Sequence, residues 1–448
     1  MRTVAFHTLG CKVNAYETEA IWQLFKKAGY ERVDFEDQAD VYLINTCTVT
    51  NTGDKKSRQV IRRAIRRNPD AVIAVTGCYA QTSPAEVAAI PGVDIVVGTQ
   101  GRDQLIHYVE KFIRERQPIN AVGNIMKQRE FEELDVPAFA DRTRASLKIQ
   151  EGCNNFCTFC IIPWAKGLSR SRKPENVLAQ ARQLVDAGYK EIVLTGIHTG
   201  GYGDDFENYK LADLLWDLDK IEGLKRIRIS SIEASQIDKR IIEVLNASEK
   251  MCRHLHIPLQ AGDDAVLKRM RRKYTTAEYK EKILELHEAM PQVAITTDVI
   301  VGFPGETDEQ FERGYRFIEE LNMYQLHVFP YSKRTGTPAA RMPDQVPEEV
   351  KHERVRRLIE LSNRLTVDYA QKFVGDVLEV IPERPFKEDP ASGLYMGYSD
   401  NYLQVAFPAT EDMVGKVCRV RIDEVNGEYC HGTFVRVVDD VPRPARAV

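Results

Sequence analysis

The run Glu151-Gly152-Cys153-Asn154-Asn155-Phe156-Cys157-Thr158-Phe159-Cys160 sets three thiols on one short loop, with three and then two residues between them. Thiolates at this spacing can hold three irons of a 4Fe–4S cube and leave the fourth iron open. An open iron suits a cluster that binds a substrate rather than one that only passes electrons. A structural zinc knuckle needs four closed ligands, and no further Cys or His follows Cys160 at zinc-like spacing. The loop comes directly after a strand pattern, Ser146–Gln150. Its thiols therefore stand at a strand's C-terminal end, where barrel enzymes keep their chemistry.

A second set is dispersed. Cys11, Cys47 and Cys78 lie 36 and 31 residues apart, too far for a local motif. Each follows the C-terminal end of an apolar strand pattern: Thr3–Thr8, Val41–Ile44 and Ala71–Val75. Three such cysteines taken alone would pass for core residues. In one parallel sheet, however, those strand ends converge at the edge where open α/β sheets bind ligands, which places the thiols to share one metal centre. Cys252, Cys418 and Cys430 lack this context and read as packing residues. An odd total of nine, with no export signal, argues against a disulfide framework.

The elements that must position these thiols are legible in outline. Up to about residue 98 strands alternate with helices, a fourth strand pattern being Val93–Val97. Near-continuous apolar strands in this rhythm predict a parallel sheet covered on both faces. Asn14 and Glu17 stand in capping-box relation ahead of a stripe of Ile21, Leu24, Phe25 and Ala28, closed by Gly29. After a polar stretch at 115–144 come strand patterns at Ser146–Gln150, Glu191–Thr195, Arg226–Ser230, His254–Pro258, Ala294–Val301 and Gln325–Tyr331. Helical patterns intervene at Glu175–Ala187, Ala277–Met290 and Asp308–Leu321. Six successive βα units predict a full or partial barrel. A helical segment, 347–373, leads to short strands such as Val377–Ile381, Tyr402–Phe407 and Val417–Ile422, which predict a small five-stranded β-barrel. The expected class is α/β, with domains at 1–115, 140–373 and 374–438.

The 448 residues are 43% hydrophobic and 29% charged, an ordinary foldable balance. No apolar run is long enough to span a membrane, and the first residues break too early for a signal peptide. A cytoplasmic protein is the expectation. The net charge of −4 points to no nucleic-acid partner, but its distribution does. Between Lys55 and Arg67 a helical pattern turns Val60, Ile61, Ala64 and Ile65 inward and its cations outward. Lys268–Lys273 and Lys166–Lys173 add two further basic clusters. Such runs are ordinarily solvated surface; beside two cysteine sites they also suit phosphates. The candidate phosphate contacts are Arg62, Arg63, Arg66, Arg67, Arg170 and Arg172. Residues 375–448 hold 13 acids against 8 bases, so that domain offers RNA only Arg419, Arg421 and Tyr402.

The cysteine triplet, with Phe159 before its last member, resembles the signature of the radical S-adenosylmethionine superfamily. The resemblance implies a partial (β/α)6 barrel and S-adenosylmethionine chelated to the open iron, ready for reductive cleavage to a 5′-deoxyadenosyl radical. It implies cofactor contacts near Phe159 and at successive strand ends: Gly196 in Thr195-Gly196-Ile197, Glu233, Gln260, and Gly302 and Gly305 in Gly302-Phe303-Pro304-Gly305-Glu306. Trp164-Ala165-Lys166-Gly167 departs from the pattern, which often has Arg before that Gly. Gly10-Cys11-Lys12-Val13-Asn14-Ala15-Tyr16-Glu17, Asn45-Thr46-Cys47-Thr48 and Thr76-Gly77-Cys78 resemble the N-terminal domain of the methylthiotransferases, and 374–438 resembles their TRAM domain. That implies a second 4Fe–4S cluster on Cys11, Cys47 and Cys78 carrying the sulfur to be donated, two uses of S-adenosylmethionine, an external electron donor and a sulfur source. Gly10–Glu19 and Gly196-Ile197-His198-Thr199-Gly200-Gly201-Tyr202-Gly203 look most like the branch acting on N6-threonylcarbamoyladenosine at tRNA position 37. Isopentenyladenosine tRNA or a ribosomal-protein aspartate are the family's alternatives. A two-cluster electron carrier or redox-sensing RNA binder is an alternative of another class, which would need no cofactor pocket. Lys12 and His198 are the nearest cations for a threonylcarbamoyl carboxylate.

Overall fold

The computed structural model describes residues 2–134, 136 and 143–438. Its first unit is a six-stranded sheet of β1 (Thr3–Thr8), β2 (Glu31–Val33), β3 (Val41–Thr46), β4 (Val72–Gly77), β5 (Ile95–Val96) and β6 (Ile119–Asn120), in the order β2-β1-β3-β4-β5-β6. All pairs are parallel. Every residue of β3 and β4 is buried, which is why both read as unbroken apolar runs. Strand β6 lies in the stretch read as a polar linker; an edge strand of two residues carries too little apolar pattern to be seen in the sequence.

The helices α1 (Lys12–Lys27), α2 (Asn51–Arg67) and α3 (Cys78–Thr82) follow β1, β3 and β4, so Cys11, Cys47 and Cys78 all lie at strand–helix turns. The Asn14–Glu17 capping box is not formed. Helix α1 starts earlier, with Cys11 at its N-cap. Asn14 instead donates to the carbonyls of Leu9 and Thr46, tying the Cys11 turn to the Cys47 turn at 2.8 and 3.0 Å.

The second unit carries β7 (Ala145–Lys148), a short hairpin of β8 (Gln150–Glu151) with β9 (Arg170–Ser171), then β10 (Glu191–Thr195), β11 (Arg226–Ile229), β12 (His254–His256), β13 (Ala294–Val301) and β14 (Gln325–Pro330). Two parallel three-stranded sheets, β11-β10-β7 and β12-β13-β14, are joined by a bridge between Ile227 and Met251 into the arc of a partial barrel. The predicted strand Ser146–Gln150 divides because beyond Ile149 the chain leaves β10 and pairs with β9. Leu147, Ile192, Leu194, Ile227, Leu255 and Ile295 alternate outward into one core under the helices. The intervening strand positions, including Lys148, Glu191, Arg228 and His256, are polar.

The third unit is a closed barrel, β15 (Val377–Pro385), β16 (Leu394–Ser399), β17 (Gln404–Pro408), β18 (Cys418–Asn426) and β19 (Tyr429–Val437), in the order β15-β16-β17-β19-β18. Closure leaves no free sheet edge. Cys418 and Cys430 fill its core, and Cys252 is buried in the second unit.

This barrel is docked by charge. Arg226 donates to the carbonyls of Glu379 and Tyr398 (2.7 and 3.2 Å), and Arg228 to those of Ser399 and Asp400 (3.1 and 3.0 Å). The buried Glu191 balances both guanidinium groups, at 3.6 and 2.6 Å. Tyr402, a candidate RNA contact in the sequence, is turned inward. Its backbone is left-handed (φ 70°), its ring stacks on His254 at 4.4 Å, and Arg228 and Arg144 lie over it at 4.9 and 5.7 Å. Among the described residues no helix is long and apolar enough to cross a membrane.

Candidate active site

The turns that carry the cysteines leave no room for side chains beside them. At Gly77 (φ 96°) a Cβ would lie 2.4 Å from Asn45 Oδ1. At Gly10 (φ 100°) it would stand 3.0 Å from the Cys47 sulfur, so the two turns meet only because residue 10 is glycine. Within each set the thiols sense one another's charge, Cys78 that of Cys11 and Cys47, and Cys160 that of Cys157 and Cys153. Burial pushes the Cys78 and Cys160 thiols up to about 12 and Cys153 to about 11; it raises Cys47 as well. Without a metal these are protonated thiols, and loading a cluster must release their protons.

Among the described residues no three His, Cys, Asp or Glu side chains are close enough to hold a single metal ion. The donor sets are matched by cations. Arg272 Nη1 stands 3.2 Å from Cys157 Sγ, and the Lys166 ammonium acts against burial at Cys78. Each group offers three free thiols with a cation beside it, the kind of donor set that a 4Fe–4S cluster with one open iron would take.

Lys166, which departs from the expected pattern, belongs to a buried ion network between the first two units. Glu17 of α1 accepts from Lys166 (2.8 Å), Lys148 (2.9 Å) and Arg102 (2.6 Å). Glu151, just ahead of Cys153, lies 3.1 Å from Lys148 and 3.5 Å from Arg170. Burial alone would push the Glu17 carboxyl up; Arg102, Lys148 and Lys166 overcome it and hold Glu17 well below the usual carboxylate range. On the far side Arg334, which follows β14, binds Thr48, Asn51 and Asp54 around the Cys47 turn. The two cysteine platforms are clamped to each other from both sides.

Between them opens a cavity of about 660 Å³, lined by Val49–Thr52 after Cys47, by Phe159 and Cys160, and by Gln260, Asp298, Ile300 and Phe329. Val49 and Phe329 are half exposed at 53% and 50%, an apolar mouth on an otherwise charged surface. Of the cofactor contacts expected from sequence, Phe159 and Gln260 line this cavity. Gln260 holds a left-handed backbone, φ 70°, of the kind that concentrates at functional sites. Glu233 lies beside the Cys153 loop, hydrogen-bonded to Asn155 (3.1 Å) and paired with Arg272 (2.9 Å). Gly302 and Gly305 form a turn closed by Glu306, which accepts from the Gly302 amide, and Gly196 packs on Gln150.

Three expectations are corrected. Arg170 and Arg172 are 1% exposed and face Glu151 and Glu133, so neither reaches a surface where RNA could lie. In the Lys268–Lys273 cluster Arg272 turns inward to Cys157 and Glu233. His198 is not a cation: burial lowers its pKa, and its ring meets Gln236 at 2.6 Å. On α2, Arg63 and Arg67 pair with Glu36, while Arg62 and Arg66 are exposed. Sequence reasoning also missed Asp298, Phe329 and Arg334. Asp298 sits in a polar-inward alternation along β13 that any barrel strand could show, and the other two become neighbours of Cys47 only through the fold.

The chain matches the model of the radical SAM superfamily over residues 147–318 and that of uncharacterized protein family UPF0004 over residues 3–98. It is 68% identical over 441 residues to the threonylcarbamoyladenosine tRNA methylthiotransferase MtaB of Bacillus subtilis, covering 98% of each chain. To the protein of the same name from Aquifex aeolicus it is 41% identical, over 94% of this chain and 100% of that one. The tRNA-2-methylthio-N(6)-dimethylallyladenosine synthase of Desulfitobacterium hafniense is 36% identical, over 93% and 94%. A solved radical S-adenosylmethionine methyltransferase, TsrM from Kitasatospora setae, with cobalamin and a 4Fe–4S cluster bound, shares the fold at a TM-score of 0.56 and 15% identity, over 88% of this chain and 80% of that one. With both family models matched and full-length relatives at this identity, the chain belongs to the methylthiotransferase family of radical S-adenosylmethionine enzymes.

Proposed function

We propose that the protein converts N6-threonylcarbamoyladenosine at position 37 of tRNA to its 2-methylthio derivative, in the cytoplasm, drawing on an external electron donor and a sulfur source. The observation that carries this reading is the cavity bounded on one wall by Val49–Thr52, which follow Cys47, and on the other by Phe159 and Cys160. In such a cavity one substrate atom can be approached from both cysteine sets. Cys153, Cys157 and Cys160 would hold the cluster that binds S-adenosylmethionine, and Cys11, Cys47 and Cys78 the cluster that presents sulfur. Together these groups supply hydrogen abstraction from an unactivated aromatic carbon and delivery of a methylthio group, chemistry that no acid, base or nucleophile of the chain could supply.

The protein's own part is placement. The Glu17 network and Arg334 fix one platform against the other. Phe159, Ile300, Val49 and Phe329 exclude water around the reacting carbon and offer apolar faces to a purine. Arg272 and Lys166 offset the negative charge that loaded clusters bring. The same apolar wall would suit an isopentenyl group, so isopentenyladenosine tRNA is the second reading.

Two experiments test the proposal. Nucleoside analysis of tRNA from a deletion strain should show 2-methylthio-threonylcarbamoyladenosine replaced by its unmethylthiolated precursor. Loss of the isopentenyl product instead would give the second reading. Changing Cys11, Cys47 and Cys78 together to Ala should remove about half the iron and end methylthiolation while sparing cofactor cleavage. Changing Cys153, Cys157 and Cys160 should remove the other half and end cleavage. Full iron content in the first variant would refute the sulfur-presenting site.

A further inference from the structure

A second cavity, of about 300 Å³, lies where all three units meet. Lys12 enters it from α1, Ser146 and Arg228 from the barrel strands, and Arg384 and Tyr402 from the C-terminal barrel; Arg144 closes the side. Its volume is at the small end for ligand pockets, which suits a polar side group. Its charge is mainly positive, with Lys12, Arg144, Arg228 and Arg384 against the one lining carboxylate, Glu383. Of the cations, Arg144 is paired with Glu383 at 2.6 Å, and Arg228 with Glu191 and two carbonyls. Lys12 and Arg384 are both exposed to the cavity, and among the described residues neither has a hydrogen-bond or ion-pair partner. Two unpaired cations facing one small chamber form a receptor for one anion.

The place of the chamber identifies that anion. Lys12 follows Cys11 directly, so its ammonium stands within one side-chain length of the turn that would carry the sulfur-presenting cluster. A threonylcarbamoyl group hangs from N6, on the same six-membered ring as C2. The carboxylate lies four bonds beyond N6, so with C2 at that cluster it can reach toward the side chain that follows Cys11. We propose that this chamber receives the threonylcarbamoyl carboxylate, with Lys12 as the principal contact and Arg384 as the second, and so sets the preference for threonylcarbamoyladenosine over apolar N6 substituents. This rests on the substrate proposed above. It also assigns the C-terminal barrel a role in specificity, through Arg384 and Tyr402, that its acidic composition does not suggest.

The test is equilibrium binding of anticodon stem-loop RNA to the cluster-loaded enzyme. Three RNAs are compared: one with threonylcarbamoyladenosine, one with the uncharged threoninol analogue at the same position, and one with unmodified adenosine. Wild type should bind the first about ten- to a hundredfold more tightly than the second, the usual worth of a hydrogen bond to a charged group. Lys12→Met should abolish that ratio and leave binding of unmodified RNA unchanged, and Lys12→Arg should restore most of it. Arg384→Met, remote in sequence from every cysteine, should lower the ratio several-fold; it carries the test if Lys12→Met proves to have lost iron. A wild-type ratio near one overturns the chamber, even if tRNA analysis has upheld the reaction. Equal weakening of all three RNAs in Lys12→Met overturns it too, since that is a phosphate contact. Failure of wild type to methylthiolate threonylcarbamoyl-tRNA at all would overturn the proposed reaction, which the tRNA analysis detects separately.

Discussion

Single residues decide what each cysteine set can do, and Arg272 is the clearest case. Its guanidinium bridges Cys157 Sγ and Glu233. A cation donating to a ligating sulfur favours the more negative, reduced state of a cluster. Replacement by Met should therefore shift the midpoint potential of that cluster negative, on the order of 50 mV, measured by redox titration followed by electron paramagnetic resonance. An unchanged potential would make Arg272 a support for Glu233 only. The sequence could not assign this residue. Both thiol triplets were legible in it, because spacing and position after strands are local properties. Arg272 sits in a basic run whose Lys268, Arg271 and Lys273 are exposed, and only the tertiary fold separates it from them.

Helix α2 shows the converse at the level of an element. Its period was readable, and Ser57, Ile61 and Ala64 are buried as a stripe should be. What pattern could not show is that two of its four candidate arginines are already engaged by Glu36. Arg62 and Arg66, with Lys55 and Lys56, remain exposed on the helix that begins beside Cys47. Reversing Arg62 and Arg66 to Glu should weaken tRNA binding and reduce the slope of log K against log salt by about two; the same change at Arg63 and Arg67 should do less. Equal slopes in wild type and the Arg62/Arg66 variant would leave α2 as plain solvated surface. Elements were also misjudged where their cause is not periodic: the Asn14–Glu17 box failed because Glu17 answers to three cations from other segments rather than to its own helix.

Across the whole molecule, both domain boundaries are held by buried carboxylates: Glu17 and Glu151 at the first, Glu191 at the second. Burial opposes their ionisation, but Arg228, Arg144 and Arg226 bring Glu191 to about 2, against an ordinary value of 4.5. Because these folded-state values are depressed, the stability they contribute is present above about pH 4.5 and is lost as pH falls from there toward 2. Cluster-free protein should keep its docked form at pH 5 and lose it within that window, followed by small-angle scattering and intrinsic fluorescence. Glu191→Gln leaves two buried guanidinium groups uncompensated and should cost about 3–5 kcal/mol. Retention of wild-type stability by that variant would show that the carbonyl contacts alone hold the barrel.

The clamp between the cysteine platforms also bears on how such an enzyme could be taken apart. Glu17, on the helix that starts at Cys11, takes two of its three cations from the neighbouring unit, and the Cys47 turn takes its arginine from beyond β14. The N-terminal unit cut free would keep only Arg102 beside Glu17 and would lose the arginine that anchors the Cys47 turn. On the proposed reading, the half that would present sulfur is therefore not a transplantable module. Its three thiols lie on one piece of chain, but part of what holds their turns in place is contributed by another.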